Sequence, residues 1–303
     1  MPARSRLDEL RQAGKPAFAR ALAEIEAAPW APATVALLDA AHAASYGRVL
    51  GVTGPPGAGK STLISAIVQG FRADGLRVAV IAVDPSSPKS GGALLGDRAR
   101  FAFDPEDDGI FVRSMAARDR LGGVAELTWP AVALARALYD RVVVETVGVG
   151  QSETEIRDLA DRVLLLVQPA SGDMLQFMKA GILEIPDLVV VGKADLGPPA
   201  ERAFRELQAA LAHSAGSAPP VHLVSALEGQ GMAELFALVR RLLASADGPP
   251  EHPPRWLEHW VRERYGRIGC ACFRTFRQRF PDDGPFTLLA RFARCFEAVL
   301  PPR

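Results

Sequence analysis

Charge imbalance, long apolar runs and a paired cysteine set are all missing from this 303-residue chain. Lys+Arg and Asp+Glu stand level at 35 each, so net charge gives no argument for nucleic acid, an anionic membrane or any other polyanion as the main partner. No stretch of about 18 uninterrupted apolar residues occurs, and residues 1–30 hold no apolar core of an export signal. Neither membrane spanning nor secretion is therefore expected, and the chain reads as cytoplasmic. Only Cys270, Cys272 and Cys295 are present, an odd number near one end, which reads as reduced thiols rather than a disulfide framework. The Cys270-x-Cys272 pair falls short of the four ligands a structural zinc usually takes. Lysine is scarce as well: Lys15, Lys60, Lys89, Lys179 and Lys193 are the five in the chain, against thirty arginines. No internal repeat and no extended low-complexity tract is visible.

The chain does hold 49% hydrophobic residues, enough to bury one large core, or a core with a small satellite. Over residues 1–47, Leu7, Leu10, Phe18, Leu22, Ile25, Val35, Leu37 and Leu38 recur near helical spacing, with breaks at Pro29 and Pro32, which predicts an N-terminal helical extension. From 48 to 246, short apolar runs alternate with helical stretches: Val49–Val52, Val78–Val83, Ile110–Val112, Val142–Val144, Val163–Val167, Leu188–Val191 and Val221–Val224. That alternation predicts an α/β domain with a mostly parallel, doubly wound sheet of about seven strands and ligands at the carboxyl ends of the strands. Breakers at Asp247–Pro250 and at Pro253-Pro254 open a linker and helical tail over 247–303. Trp256, Leu257, Trp260 and Val261 share a helix face there, expected to pack on the main domain or a twin subunit, or else to serve as a basic docking surface.

The clearest chemical signal is Gly54-Pro55-Pro56-Gly57-Ala58-Gly59-Lys60-Ser61-Thr62, between an apolar strand and a helical stretch. Gly-x4-Gly-Lys-Ser in that context is a P-loop: glycines turn backbone amides toward phosphates, the helix N-terminus adds a positive dipole, Lys60 reaches the outer phosphates and the Ser61 hydroxyl ligates Mg²⁺. A second element, Val142 to Gly150, ends a strand in Glu145 before a glycine turn. A carboxylate there can hold Mg²⁺ through water, and the Gly148 amide can sense a terminal phosphate; a solvated strand-end glutamate is the plainer alternative. Asp84, in Val83-Asp84-Pro85-Ser86-Ser87, is expected at the same sheet edge, either orienting metal or water or capping a helix. Asp97, within Gly91 to Arg98, is expected on a loop, with a metal- or water-positioning role and a plain structural role both open.

Downstream, Gly192-Lys193-Ala194-Asp195 follows one strand and Ser225-Ala226-Leu227 another, an order that suits a guanine pocket. Asp195 would accept from N1–H and the exocyclic amine of guanine, and adenine, lacking that donor pair, would leave the carboxylate unpaired. The Lys193 stem would cover the base plane, and the Ala226 amide would meet the guanine carbonyl.

These residues resemble the MeaB/ArgK-type P-loop GTPases that accompany adenosylcobalamin-dependent acyl-CoA mutases such as methylmalonyl-CoA mutase. The resemblance runs through Gly54–Thr62, Val83–Ser87, Gly91-Gly92 with Gly96–Arg98, Leu121–Ala125, Val144–Glu153 and the spaced run Gly172, Asp173, Gln176, Lys179, Gly181, Ile182. It covers roughly residues 10–245. It implies a GTP-hydrolysing G-protein chaperone, using GTP, GDP and Mg²⁺, that gates cobalamin loading into a B12-dependent acyl-CoA mutase. It also implies metal- or water-positioning roles for Asp84, Asp97 and Glu145, and a homodimer. Two features depart from the family. Gly192 stands where the family carries Asn in Asn-Lys-x-Asp, a loss worth about 1–3 kcal/mol of nucleotide affinity unless another group substitutes. The tail beyond Gly248 is also short for the family's helical dimerisation arm. Rival readings are a nickel-inserting metallochaperone GTPase, which five dispersed histidines and one Cys-x-Cys suit poorly, and a non-hydrolysing nucleotide-binding interaction module. An older family description, a transport ATPase or kinase for lysine, arginine and ornithine, finds no support in these residues.

Overall fold

Each of the seven apolar runs forms a strand in the computed structural model, which describes residues 3–84, 101–104, 106–116, 127–146, 152–169, 184–212, 218–246 and 255–298. The strands are β1 (Arg48–Thr53), β2 (Val78–Asp84), β3 (Ile110–Ala116), β4 (Arg141–Glu145), β5 (Arg162–Val167), β6 (Leu188–Val191) and β7 (Val221–Leu223). They make one sheet in the order β3-β2-β4-β1-β5-β6-β7, with every neighbouring pair parallel. A parallel sheet must be covered on both faces, and its inner strands here are continuous Val/Leu runs buried along almost their whole length. Among the described residues the helices are α1 (Ala3–Ala27), α2 (Pro32–Ala43), α3 (Lys60–Ala73), α4 (Thr128–Leu138), α5 (Ser152–Leu159), α6 (Pro198–Ala212), α7 (Met232–Ala244), α8 (Trp256–Arg277) and α9 (Pro285–Glu297). None of them is long and apolar enough to cross a membrane.

The chain divides into two units, and the sheet belongs to the one made of Arg48–Thr128 and Tyr139–Asp247. On one face, Leu63, Ile64, Ile67, Val68 and Phe71 of α3 join Leu235, Val239 and Leu243 of α7 over Leu50, Val80, Val143, Leu164 and Val190. The α3 positions recur at helical spacing, and each large side chain contributes about 1.5–3 kcal/mol by leaving water. On the other face, Ala203, Leu207 and Leu211 of α6 cover Leu165, Val167, Val189 and Val191. The sheet is thus doubly wound, with α3 springing from the central strand β1. Arg72, at the far end of α3, grips Asp107 through Nε (2.9 Å) and Nη2 (2.8 Å), tying that end of the helix to the approach to β3.

The second unit gathers Met1–Gly47, Trp129–Leu138 and Gly248–Arg303. The apolar face of α8 is buried inside it: Trp256 stacks on Trp129 of α4 with centroids 5.4 Å apart and lies 5.1 Å from Phe286 of α9, while Trp260 meets Trp30 edge-on at 5.3 Å. The two long helices each bend at a glycine, Gly14 in α1 and Gly266 in α8. Asp39 of α2 caps α9, its carboxylate accepting from the Phe286 amide (2.9 Å), the Thr287 amide (3.0 Å) and the Thr287 hydroxyl (2.5 Å).

Candidate functional site

The loop Gly54–Gly59 leaves β1 and turns into α3. Gly54, at φ 148°, presses so closely on β5 that a Cβ would lie 2.1 Å from the Leu166 carbonyl oxygen, so no side chain fits there. Gly59 (φ 95°) is the N-cap of α3 and brings no side-chain cap, which leaves the first-turn amides for another acceptor. Lys60 is 8% exposed and curls back into the loop, its Nζ donating to the carbonyls of Gly54 (2.7 Å) and Pro55 (3.1 Å). Pro56 and Gly57 form the exposed outer turn, whereas Gly54, Pro55 and Ala58 are buried.

Glu145 ends β4 level with Val52 of β1 and Ala82 of β2, and it is buried. The Ser61 hydroxyl, in the first turn of α3, donates to Glu145 Oε1 at 3.4 Å. An alcohol and a carboxylate that converge beside a phosphate-type loop are the hard oxygen donors Mg²⁺ prefers, so these two residues fit that ion. Asp84 closes β2 two residues beyond the level of Glu145, paired in register with Ala116. Asp97 and Gly148 lie outside the described residues, as do the runs 91–98, 121–125 and 172–182. One pair that motif reading missed sits at the same edge: Thr146 Oγ1 donates to Thr53 Oγ1 at 3.0 Å, both side chains buried.

On the other side of the loop opens a cavity of about 260 Å³. Ala58, Gly59 and Thr62 line it from the phosphate side, Gly192, Lys193 and Asp195 from the turn after β6, and Ser225, Ala226 and Leu227 from the turn after β7. The two turns are bound together, since the Val224 amide donates to Val191 O (2.9 Å) and the Ala194 amide to Val224 O (2.9 Å). The Ser225 hydroxyl donates to Asp195 Oδ1 at 2.6 Å and accepts from the Glu228 amide at 3.2 Å, which aims the carboxylate. Lys193 adopts a left-handed backbone (φ 57°, ψ 44°), and its Nζ donates to Gln168 Oε1 at 2.9 Å. Gln168 is a further residue that motif reading missed; an uncharged side chain just past a strand carries no signature. Taken together, the loop can enclose phosphates while the cavity offers a carboxylate and a lysine stem to a planar base.

A sequence model of the family described as "Methylmalonyl Co-A mutase-associated GTPase MeaB" matches residues 18–255. A Pyrococcus horikoshii protein whose name provisionally assigns it GTPase activity is 44% identical over 200 residues, 64% of this chain and 63% of that one. The mitochondrial methylmalonic aciduria type A homolog of Mus musculus is 42% identical over 209 residues, 65% of this chain and 50% of that one. A crystal structure described as a LAO/AO transport system kinase superposes with a TM-score of 0.65 at 27% identity, covering 97% of each chain. The chain spans less than two thirds of the length of the first relatives it matches, 63% and 61%.

Proposed function

The chain belongs to the MeaB family of methylmalonyl-CoA mutase-associated GTPases, and from that membership we propose that it binds GTP and GDP at this site, hydrolyses GTP slowly and passes the resulting change of shape to a B12-dependent acyl-CoA mutase, gating cobalamin loading. One observation carries the reading: a glycine-rich loop with a buried lysine stands beside a cavity whose Ser225-aimed carboxylate suits guanine. A homodimer follows from the family resemblance, and light scattering tests it.

In this reading the Lys60 ammonium exchanges the Gly54 and Pro55 carbonyls for phosphate oxygens, neutralising charge as water attacks the γ-phosphate in line. Ser61 and Glu145 would hold Mg²⁺, which when bound neutralises the developing charge on the β- and γ-oxygens. Asp195 accepts from N1–H and the exocyclic amine of guanine, with Ser225 fixing its plane. Asp84 and Asp97 would place metal or water, and Gly148 would sense the terminal phosphate. The test is calorimetry with nucleotide-free protein, Mg²⁺ and either GTP or GDP, followed by single-turnover hydrolysis. Heat for both nucleotides and phosphate release from GTP are expected; no heat for either would end the proposal.

A further inference from the structure

Two side-chain pairs hold the charged groups that line the cavity, Ser225 with Asp195 and Gln168 with Lys193, and of these four residues Gln168, which stands behind the lining, has been given no task so far. Gln168 and Lys193 are joined at 2.9 Å. Strand register explains how they meet. Val167 of β5 pairs with Val191 of β6, so the next residue out on β5 is Gln168, opposite Gly192 and one position short of Lys193. Gly192 contributes no donor and no acceptor beyond its backbone. A Cβ built there would stand 3.4 Å from the Ala58 carbonyl and 3.2 Å from Leu166 Cδ1, in the seam between phosphate loop and base cavity. A polar side chain in that seam would tie the two together, and position 192 supplies none.

Lys193 meanwhile occupies a backbone conformation that only this residue among the described non-glycines adopts, so its position is imposed by the turn rather than chosen by the lysine. A lysine stem on such a turn has several rotors and, left alone, sweeps a wide volume. Binding a base would then have to arrest it. The Gln168 amide oxygen arrests it beforehand, by holding the far end of the same side chain. We infer that Gln168 is a positioning residue of the base site: it pins the Lys193 ammonium so that the stem lies ready against the plane of a purine, and so supplies part of the order that Gly192 withholds. This rests on the nucleotide reading above.

A pinned stem supports the flat face of any purine and reads none of its edge groups, whereas Asp195 reads the edge. The two contributions therefore separate. With Mg²⁺ present, titrations of GDP and inosine diphosphate into wild type, Gln168→Ala, Gln168→Glu, Lys193→Ala and the Gln168→Ala/Lys193→Ala double variant make the test. Gln168→Ala is expected to weaken both nucleotides by the same factor, about three- to tenfold, the cost of arresting one long side chain at binding. The preference for GDP over inosine diphosphate stays unchanged in that variant. Gln168→Glu, which still offers an acceptor to the ammonium, restores binding, and in the Lys193→Ala background the Gln168→Ala loss disappears. Wild-type affinity in Gln168→Ala, or an equal loss with and without Lys193, overturns the inference while leaving the nucleotide reading intact. Wild-type protein that takes up neither nucleotide overturns both.

Discussion

Thr146, one residue past the end of β4, donates its hydroxyl hydrogen to the hydroxyl of Thr53 at the end of β1, 3.0 Å away and out of reach of solvent. One threonine is followed by the phosphate loop, and the other directly follows Glu145. The bond therefore sets the level of the carboxylate against the loop, alongside the Thr146 amide's bond to Val52 O at 3.2 Å. Thr146→Val keeps the shape and strands a buried hydroxyl, so it should cost about 1–3 kcal/mol of stability in denaturant unfolding. Adding Thr53→Val should recover part of that loss, because replacing both partners removes the stranded group. Strict additivity of the two changes would show that the hydroxyls do not act as a pair.

Lys60 is the residue on which turnover rests. Its ammonium donates to the Gly54 and Pro55 carbonyls of the loop, and Lys60→Ala should leave the fold intact by circular dichroism. The single-turnover rate should fall by at least about 10²-fold, the loss typical of one removed charge-stabilising donor. A contaminant-free sample of this variant that hydrolyses GTP at the original rate would contradict the site.

Ser225→Ala tests the aim of the base-reading carboxylate. The hydroxyl contributes a 2.6 Å hydrogen bond to Asp195 and is itself fixed by the Glu228 amide. Its removal should weaken GDP about tenfold, as expected for a hydrogen bond to a charged group, and should narrow the preference for GDP over inosine diphosphate. Unchanged preference in an equilibrium competition assay would place the discrimination elsewhere.

Asp39 predicts a pH effect in the helical unit. Burial raises its pKa above the ordinary 3.8, an effect opposed by the Thr287 hydroxyl and by the amides of Phe286 and Thr287, and reinforced by Asp283. Because the folded value lies above the unfolded one, the folded chain binds more protons than the unfolded chain between the two. The stability tied to this group is complete below 3.8 and is lost as pH rises through the raised value. Melting temperatures of wild type minus those of Asp39→Asn should accordingly fall across that window and level off above it. A difference that rises with pH there would reverse the assignment.

Much of this architecture could be read before any coordinates. All seven apolar runs became strands, and in β4, β5 and β6 the reason is plain, since consecutive rather than alternating Val and Leu suit a sheet covered on both faces. Gly54 to Thr62 fell at the strand-to-helix junction that gives the motif its meaning. What stayed hidden depends on distance along the chain. Nothing local says that Asp39 will cap a helix beginning at Pro285, or that Trp129 will stack on Trp256. The apolar face of α8 was visible in its spacing; what it would face was not. Thr53, Thr146 and Gln168 escaped for a different reason, since each owes its task to strand register, which no spacing rule records. The bends at Gly14 and Gly266 were likewise missed, as helical periodicity survives a single kinked residue.

The clasp between Asp39 and Thr287 spans 248 positions of chain, and this imposes an order on birth at the ribosome. All seven strands are synthesised before the amides that the carboxylate awaits, so the sheet can close while α2 still has an open acceptor. Completion of the helical unit is therefore a late event, and a nascent chain halted before Pro285 would carry a finished sheet with its first helices still seeking their last companion.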